Sequence, residues 1–468
     1  MARQIGLGLV LLVCSMCSGQ DGPLSGVPGS PALDWRALEA PALASHVQLT
    51  SRDEFLKAGE AYFSPDMQWI IFQAIAVPPE GSTPEPYYSM YVARLTRDSE
   101  GWISGIDKSI RVSNDGSANT CGWFHPTQPG TVLFGSTINR PTQKEKPGFS
   151  GPSGRYVWAF PEETEIVVTT LPELGGAQGN ERVLFKRDDY DAEGSWSRDG
   201  RHVIHARVVG RDEGTGRVDA DIWVYDTRTG KSVVLVEAPG YDGGPFFSPD
   251  EEWICYRSDR KGDDRLQLFI AELARDESGA ITGIRREYQV TDNEHVNWAP
   301  YWHPDGDFLV YATSQMGHWN YELFCVELDF AQIRSGREPH ENRQVRMTFA
   351  NGADVLPAFS PDGKYMMWCG QRGEMAPGEQ RPSSQLWIAR LNPSLSRSTV
   401  FRTVGANSAE VVARAAADAK VAWAADAVPT TRWDGLNWNV TLTKPDASAR
   451  IDVIVEASGR VLHVGAAH

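Results

Sequence analysis

The chain has 468 residues, a formal net charge of −16, and 41% hydrophobic and 23% charged residues. That length suits one large repeat domain with a small second one, and the composition excludes a low-complexity or disordered chain. The acidic balance argues against a nucleic-acid partner and against docking on anionic lipid through a basic patch.

In chain order, residues 1–19 come first. Arg3 supplies a short positive region, Ile5 to Val13 form an apolar stretch, and Cys17-Ser18-Gly19 are small residues at a cleavage position. This reads as a secretory signal peptide, too short to span a bilayer. Lipidation at Cys14 or Cys17 is disfavoured, because Val13 and Met16 stand where a small residue is expected. No later apolar run is long enough to cross a membrane, so the expected location is periplasmic or extracellular. Residues 20–45, Gly-, Pro- and Ser-rich at first, read as a flexible lead-in.

One phrase then recurs. It reads Phe63-Ser64-Pro65-Asp66, Phe124-His125-Pro126, Trp196-Ser197-Arg198-Asp199-Gly200, Phe247-Ser248-Pro249-Asp250, Trp302-His303-Pro304-Asp305-Gly306 and Phe359-Ser360-Pro361-Asp362-Gly363, six copies in all. Each copy is a turn signal followed by a β-branched or aromatic run too short for a helix, such as Trp69-Ile70-Ile71-Phe72 or Phe308-Leu309-Val310-Tyr311. A third run follows, such as Ile222-Trp223-Val224-Tyr225 or Leu386-Trp387-Ile388-Ala389, with Tyr156-Val157-Trp158 as its weaker counterpart in the second copy. More polar fourth strands close several units, as in Tyr288-Gln289-Val290-Thr291.

Four short strands repeated six times predict an all-β fold, a six-bladed β-propeller over residues 46–399. No blade can bury its faces alone, and the ring must close or leave open edges. The sixth unit runs out of chain after its third strand, near Leu391, and His46-Val47-Gln48-Leu49-Thr50-Ser51 has the pattern of a fourth strand. An N-terminal strand at 46–51 is therefore expected to close the ring. Residues 139–155 read as a polar insertion in the second blade. The repeat places Cys121, Cys255, Cys325 and Cys369 in different blades, so buried free thiols are expected rather than a disulfide framework.

The repeat resembles the TolB-type propeller repeat of exported bacterial proteins. The phrases Gly240-Tyr241-Asp242-Gly243-Gly244-Pro245, Tyr190-Asp191-Ala192-Glu193 and Asn297-Trp298-Ala299-Pro300 carry the likeness beside the Phe-Ser-Pro-Asp turns. The resemblance implies a TolB-like propeller. It does not name a ligand, because function resides in sites rather than folds.

After the propeller, Ser408 to Ala427 is alanine-rich with helical spacing, Ser408 as its cap and Pro429 at its end. Strands are expected at Trp438–Leu442, Ala449–Val455 and Val461–Val464. This helix-then-meander order over residues 405–468 is similar to a PepSY-type module, a small unit of exported proteins proposed to bind or restrain a partner. It makes the second part of the chain a small α+β domain.

Chemistry is sparse. No G-x-S-x-G elbow occurs, and the segment after the last blade is too short for an α/β-hydrolase domain. Asp189, Asp191 and Glu193 mimic the start of a calcium loop, but its twelfth position is Gly200, so no metal or other cofactor is expected. His125 and His303 replace the repeat Ser and read as local hydrogen-bonding residues.

One column stands out. Seven residues before each repeat Pro, or its Arg198 replacement, stand Ala58, Asn119, Asp191, Asp242, Asn297 and Asp354; two residues later come Glu60, Cys121, Glu193, Gly244, Ala299 and Leu356. Asn and Asp in that place can simply bond turn backbone, or they can make a polar, acidic channel mouth. Asn119, Asp191, Glu193, Asp242, His295, Asn297 and Asp354 are the candidate ligand-binding residues. The expected role is non-enzymatic binding or scaffolding of a protein or cell-envelope ligand. Two alternatives stand beside it: a hydrolase using Asp191, Glu193 and Asp242, and a sensor or inhibitor acting through the C-terminal module.

Overall fold

The computed structural model describes residues 34–142, 160–177, 179–212, 217–336, 343–375, 379, 381–392, 406–418, 420–421, 423–433, 437–456 and 461–467. The expected leader, the Tyr156–Trp158 strand and most of the 139–155 insertion lie outside these residues. Six antiparallel sheets follow one another along the chain, and a further four-stranded sheet forms at the C-terminus. Consecutive sheets pack together, and the sixth packs on the first, so the ring is closed. The architecture is an all-β propeller with a small α+β unit after it.

The inner strands are Phe55–Phe63, Asn119–Phe124, Asp191–Trp196, Asp242–Phe247, Asn297–Trp302 and Asp354–Phe359, one in each of blades 1 to 6. The recurring phrase is the turn from each inner strand to the second. Ser64 Oγ accepts from the amide of Trp69 at 2.9 Å and donates to Asp66 at 2.6 Å. Ser197, Ser248 and Ser360 repeat both contacts. Where histidine stands in, its Nδ1 takes the acceptor role: His125 from the amide of Gln128 at 3.0 Å, His303 from that of Asp305 at 3.2 Å. The repeat signature is therefore turn chemistry, as expected for those two histidines.

Hydrophobic runs fill the space between blades. Phe55, Ile70, Phe72 and Tyr91 of blade 1 share one core with Tyr365, Met367, Leu386 and Ile388 of blade 6. Trp253, Cys255 and Ile270 of blade 4 share another with Trp302, Tyr311 and Phe324 of blade 5. In blade 2 the third strand is Glu165–Thr170. The run Ile166-Val167-Val168 is fully apolar and buried, as a strand covered on both faces should be.

Ring closure is made by Leu43–Gln48, which pairs antiparallel with Gln385–Leu391. The pairing begins three residues before the expected 46–51 segment and continues through the amide of Leu49 to the carbonyl of Leu386. A buried ion cluster locks it. Arg372 donates to Asp354 at 2.7 and 2.6 Å and to Glu39 at 2.8 and 2.7 Å. Glu39 ends the short helix Trp35–Glu39 and also meets His46 at 2.7 Å and the amide of Phe349 at 2.7 Å. The guanidinium lies against the rings of Trp35 and Trp368, 4.4 and 4.9 Å from their centres.

In the C-terminal unit, helix Ala406–Asp418 packs on the meander Val428–Trp433, Asn437–Thr443, Arg450–Glu456 and Val461–Val464. Ala409, Ala413 and Ala417, spaced by one turn, meet Val440, Leu442, Ile451, Val453 and Val455. Three expectations are corrected. Ser408 lies inside the helix, which ends at Asp418 rather than near Ala427. There are four strands, not three, because Val428–Trp433 pairs with Asn437–Thr443. Pro429 sits in that extra strand, which is tolerable because among the described residues the strand is an edge of its sheet.

Replacing Arg372 with Met leaves Glu39 and Asp354 buried without their shared cation. Urea unfolding should show a loss of about 3–5 kcal/mol, and a loss below about 1 kcal/mol would mean the cluster does not hold the ring shut.

Candidate functional site

Every inner strand shifts register at the same place. The breaks fall between Gly59 and Ala61, Thr120 and Trp123, Ala192 and Ser195, Gly243 and Phe246, Trp298 and Tyr301, and Val355 and Ala358. Within each break one residue has positive φ: Glu60 (23°), Cys121 (52°), Glu193 (59°), Gly244 (59°), Ala299 (51°) and Leu356 (55°). These are β-bulges with a left-handed residue. Five of the six are not glycine, in a conformation that costs about 1–2 kcal/mol for an L-residue. Recurrence in all six blades marks the bulge as part of the architecture, which re-aims one residue per blade into the channel.

All six bulge residues line a central cavity of about 300 Å³. Two positions further along the inner strands, Tyr62, Trp123, Phe246 and Tyr301 pack against one another with ring centres 4.8 to 6.5 Å apart, and these rings cross the channel. The cavity has two kinds of wall. Blades 1 to 3 contribute Glu60, Cys121 and Glu193; blades 4 to 6 contribute Gly244, Ala299 and Leu356 with Phe246, Trp298 and Val355.

The polar wall is internally bonded. Glu193 accepts from Tyr241 Oη at 2.7 and 2.8 Å, from the amide of Gly244 at 2.5 Å and from Arg257 Nη2 at 3.2 Å. Arg257 also donates to Tyr241 Oη at 2.7 Å. Its guanidinium comes from the second strand of blade 4 and occupies the space a side chain at 244 would need: a Cβ there would lie 1.9 Å from Nη1. Glu60 accepts from Tyr62 Oη at 2.7 Å and from Cys121 Sγ at 3.3 Å. Burial raises the Glu60 carboxyl above its ordinary range, against the opposing hydrogen bonds from Tyr62 and Cys121. Burial, then Glu60 and Glu193, push the Cys121 thiol well up, so it serves as a neutral donor.

Of the seven residues expected at the mouth, Asn119 and Glu193 line this cavity, and Asp191, Asp242, His295, Asn297 and Asp354 are not in its wall. The Asn and Asp column forms the first residues of the inner strands, and its side chains tie neighbouring groups together. Asn119 Nδ2 donates to the carbonyls of Tyr88 at 2.9 Å and Ser117 at 3.1 Å. Asn297 Nδ2 donates to Asn293 Oδ1 at 2.9 Å and to the carbonyl of His295 at 3.2 Å, while the amide of His295 bonds Asn293 at 3.0 Å. In the Asp blades an arginine takes over: Arg207 lies 2.8 Å from Asp191, Arg260 3.3 Å from Asp242, and Arg372 2.6 Å from Asp354. Of Asp191, Glu193 and Asp242, only Glu193 lines the channel cavity.

These pairs are not equivalent. Burial pushes the Asp191 carboxyl up, but His205 and Arg207 beside it more than offset this and hold it low. At Asp242 burial outweighs the opposing Ser258 and Arg260, the latter at 3.3 Å, and pushes the carboxyl from 3.8 up to about 7.

Glu60 and Cys121 stood in the column two residues after the Asn and Asp residues, so their place was readable. Arg257 was not singled out, because it reaches the cavity from the second strand of blade 4, and Tyr190 and Lys57 line it without belonging to either column. Elsewhere, ligand atoms of His303, Asp305 and Asp307 lie within 4.8 Å of one another, on the blade 5 repeat turn where His303 already caps the turn.

Fold and site together define a closed β-propeller whose central channel is crossed by aromatic rings and holds a cavity with one polar and one apolar wall. No known family profile matches the chain. Over 179 residues it is 27% identical to the uncharacterized peptidase YuxL of Bacillus subtilis, covering 32% of this chain and 25% of that one. It is 26% identical over 211 residues to the uncharacterized protein Atu1656 of Agrobacterium fabrum, covering 44% and 64%. It is 27% identical over 173 residues to the Tol-Pal system protein TolB of Wolinella succinogenes, covering 37% and 34%. The chain therefore spans between a quarter and just under two thirds of these relatives, and it is TolB-like in its propeller.

Gly244→Ala forces a Cβ into the Arg257 guanidinium at a left-handed position. It should cost about 3 kcal/mol or more in urea unfolding, from strain and a broken buried pair; a neutral result would show that Arg257 has another place to go. Asp242 supplies a pH test. Between its unfolded value of 3.8 and its folded value of about 7, only the folded chain keeps the proton, so stability falls as pH rises through that window. Asp242→Asn should flatten this part of the stability–pH curve, and an unchanged slope would place the titration elsewhere.

Proposed function

We propose that this is an exported, non-enzymatic binding propeller that holds a segment of a partner protein at the mouth of its channel. The observation that carries this reading is the cavity itself. It lies on the inner-strand entry side, aromatic rings cross the channel beyond it, and its ionisable groups are bonded to one another rather than arranged as a nucleophile with a base. A pocket with apolar and aromatic walls and few polar groups is what binding sites share. Likeness to the Tol-Pal system protein TolB supports a protein partner in the cell envelope. The leader expected at residues 1–19 agrees with a site outside the cytoplasm, and no helix among the described residues is long and apolar enough to cross a membrane. The C-terminal unit, PepSY-like in its helix-then-meander order, is read as a separate module at 405–468 that restrains or presents the propeller's partner.

Photo-crosslinking tests this. A photoreactive residue at Tyr88, in the cavity wall, should yield adducts with an envelope protein. The same residue at the exposed Arg228, in a third-to-fourth strand turn beside the repeat turn, lies at the opposite end and should not. Equal adducts at both ends, or adducts at 228 alone, would sink the reading. So would hydrolysis of peptides or glycans by the purified protein that is abolished by Glu60→Gln or Glu193→Gln.

A further inference from the structure

The cavity holds two carboxylates, and they are not matched alike. Glu193 has the Arg257 guanidinium at 3.2 Å, with Tyr241 and a backbone amide completing its shell. Glu60 receives two neutral donors, Tyr62 and Cys121, and no cation among the described residues lies within ion-pair distance of it. Beside it, Gln73 pairs in register with Gly59, lines the same cavity and is only 8% exposed. Its Oε1 is buried with no hydrogen-bond donor among the described residues. A carboxylate without a counter-ion and an amide oxygen without a donor thus line the same cavity from neighbouring strands of blade 1. A buried acceptor without a donor costs about 1–3 kcal/mol, so Gln73 favours a ligand that brings a donor, and a buried carboxylate without a cation favours one that brings positive charge.

We infer that the blade 1 wall of the channel cavity binds a primary ammonium group on a short apolar stem, with Glu60 and Gln73 as its acceptors. This rests on the reading that the channel cavity is the binding site. An ammonium carries three donors and no acceptor, which fits a carboxylate and an amide oxygen. A guanidinium asks for two free oxygens in one plane, but each Glu60 oxygen already accepts from a neighbour. A calcium ion asks for six to eight oxygen ligands, more than these two residues supply. The stem has a surface to lie on, since Ala299, Leu356 and Phe246 form the facing wall.

The charges around the site agree. The groups facing Glu60 are Tyr62, Cys121, Glu193 and Arg257, and Lys57 stands at the rim with its ammonium 4.6 Å from the centre of the Tyr88 ring. Arg257 and Glu193 offset each other, and Cys121 stays protonated. With the cavity empty, burial holds the Glu60 carboxyl above its usual range. An incoming ammonium favours the carboxylate, so binding strengthens as pH rises through the Glu60 titration and weakens again where the amine itself loses its proton, near 10.4 for a lysine-like amine.

A partner could present this group from a lysine side chain or from its N-terminus. Three probes separate the cases: n-butylamine for the lysine stem, L-leucinamide for an α-ammonium, and 1-butanol as the uncharged isostere of the first. Saturation-transfer NMR titrations on the whole protein at pH 7, where both amines carry their proton, read their affinities. At least one of the two amines should bind saturably, and the one that binds more tightly names the source. Glu60→Gln keeps the shape and should weaken the amine by about tenfold or more, as expected for losing a charged hydrogen bond, while 1-butanol changes less than about twofold. Gln73→Leu, on a different strand, should weaken the amine by about threefold or more. Thermal melts of both variants check that they fold, and either variant suffices. The inference fails if neither amine binds, or if a folded variant at 60 and a folded variant at 73 both bind amines like the wild type. Adducts at Tyr88 without amine binding overturn this inference and leave the protein-partner reading intact. Amine binding lost in Glu60→Gln, with no adducts at Tyr88, does the reverse.

Discussion

The whole molecule depends on the antiparallel pairing of Leu43–Gln48 with Gln385–Leu391. Each blade buries its two faces against its neighbours, so a ring left open exposes two sheet faces and two edges at once. Closing it brings together segments at opposite ends of the propeller sequence, and loop-closure entropy opposes that, though it grows only slowly with length. The hydrophobic seam between blades 6 and 1 and the Glu39–Arg372–Asp354 cluster oppose this entropy. The cluster is also specific. Its cation belongs to blade 6 and one of its anions to the helix before the closing strand, so the charges are matched only when the ring is shut in this register.

Closure then sets the channel. Six inner strands point their bulges at one axis, and the left-handed residue of each bulge determines which side chain enters the cavity. The backbone feature is uniform and the side chains are not. Three successive blades place Glu, Cys and Glu there, and the next three place Gly, Ala and Leu. The glycine has its own reason, since Arg257 fills the volume beside it and brings positive charge to Glu193 from another strand. A ring built from one repeated unit thereby acquires a polar side and an apolar side.

The Asn and Asp column shows how a strong sequence pattern can belong to the fold. Asp191, Asp242 and Asp354 are buried at the start of inner strands and held by Arg207, Arg260 and Arg372, while Asn119 and Asn297 bond loop carbonyls. The same position takes either residue type because its task is to join the incoming loop to the strand. The neighbouring column, two residues on, shows no shared residue type and looked uninformative. All six of its residues line the cavity, against Asn119 alone of the Asn and Asp residues.

By itself the amino-acid sequence determined the repeat, the number of units, the turn chemistry of Phe-Ser-Pro-Asp and the need for an N-terminal closing strand. These are local or periodic properties, written within a few residues or at a fixed spacing. It misplaced what lacks a local signal: the third strand of blade 2, the Val428–Trp433 edge strand, and the first residues of the closing strand. The candidate site was legible only as a column of positions including Glu60, Cys121 and Glu193. Its meaning came from tertiary structure alone, because Glu193 meets Arg257 across 64 residues of chain, and Cys121 meets Glu60 across 61. Partners so distant in sequence are brought together by ring closure and by six register breaks, and neither leaves a mark on hydrophobic periodicity.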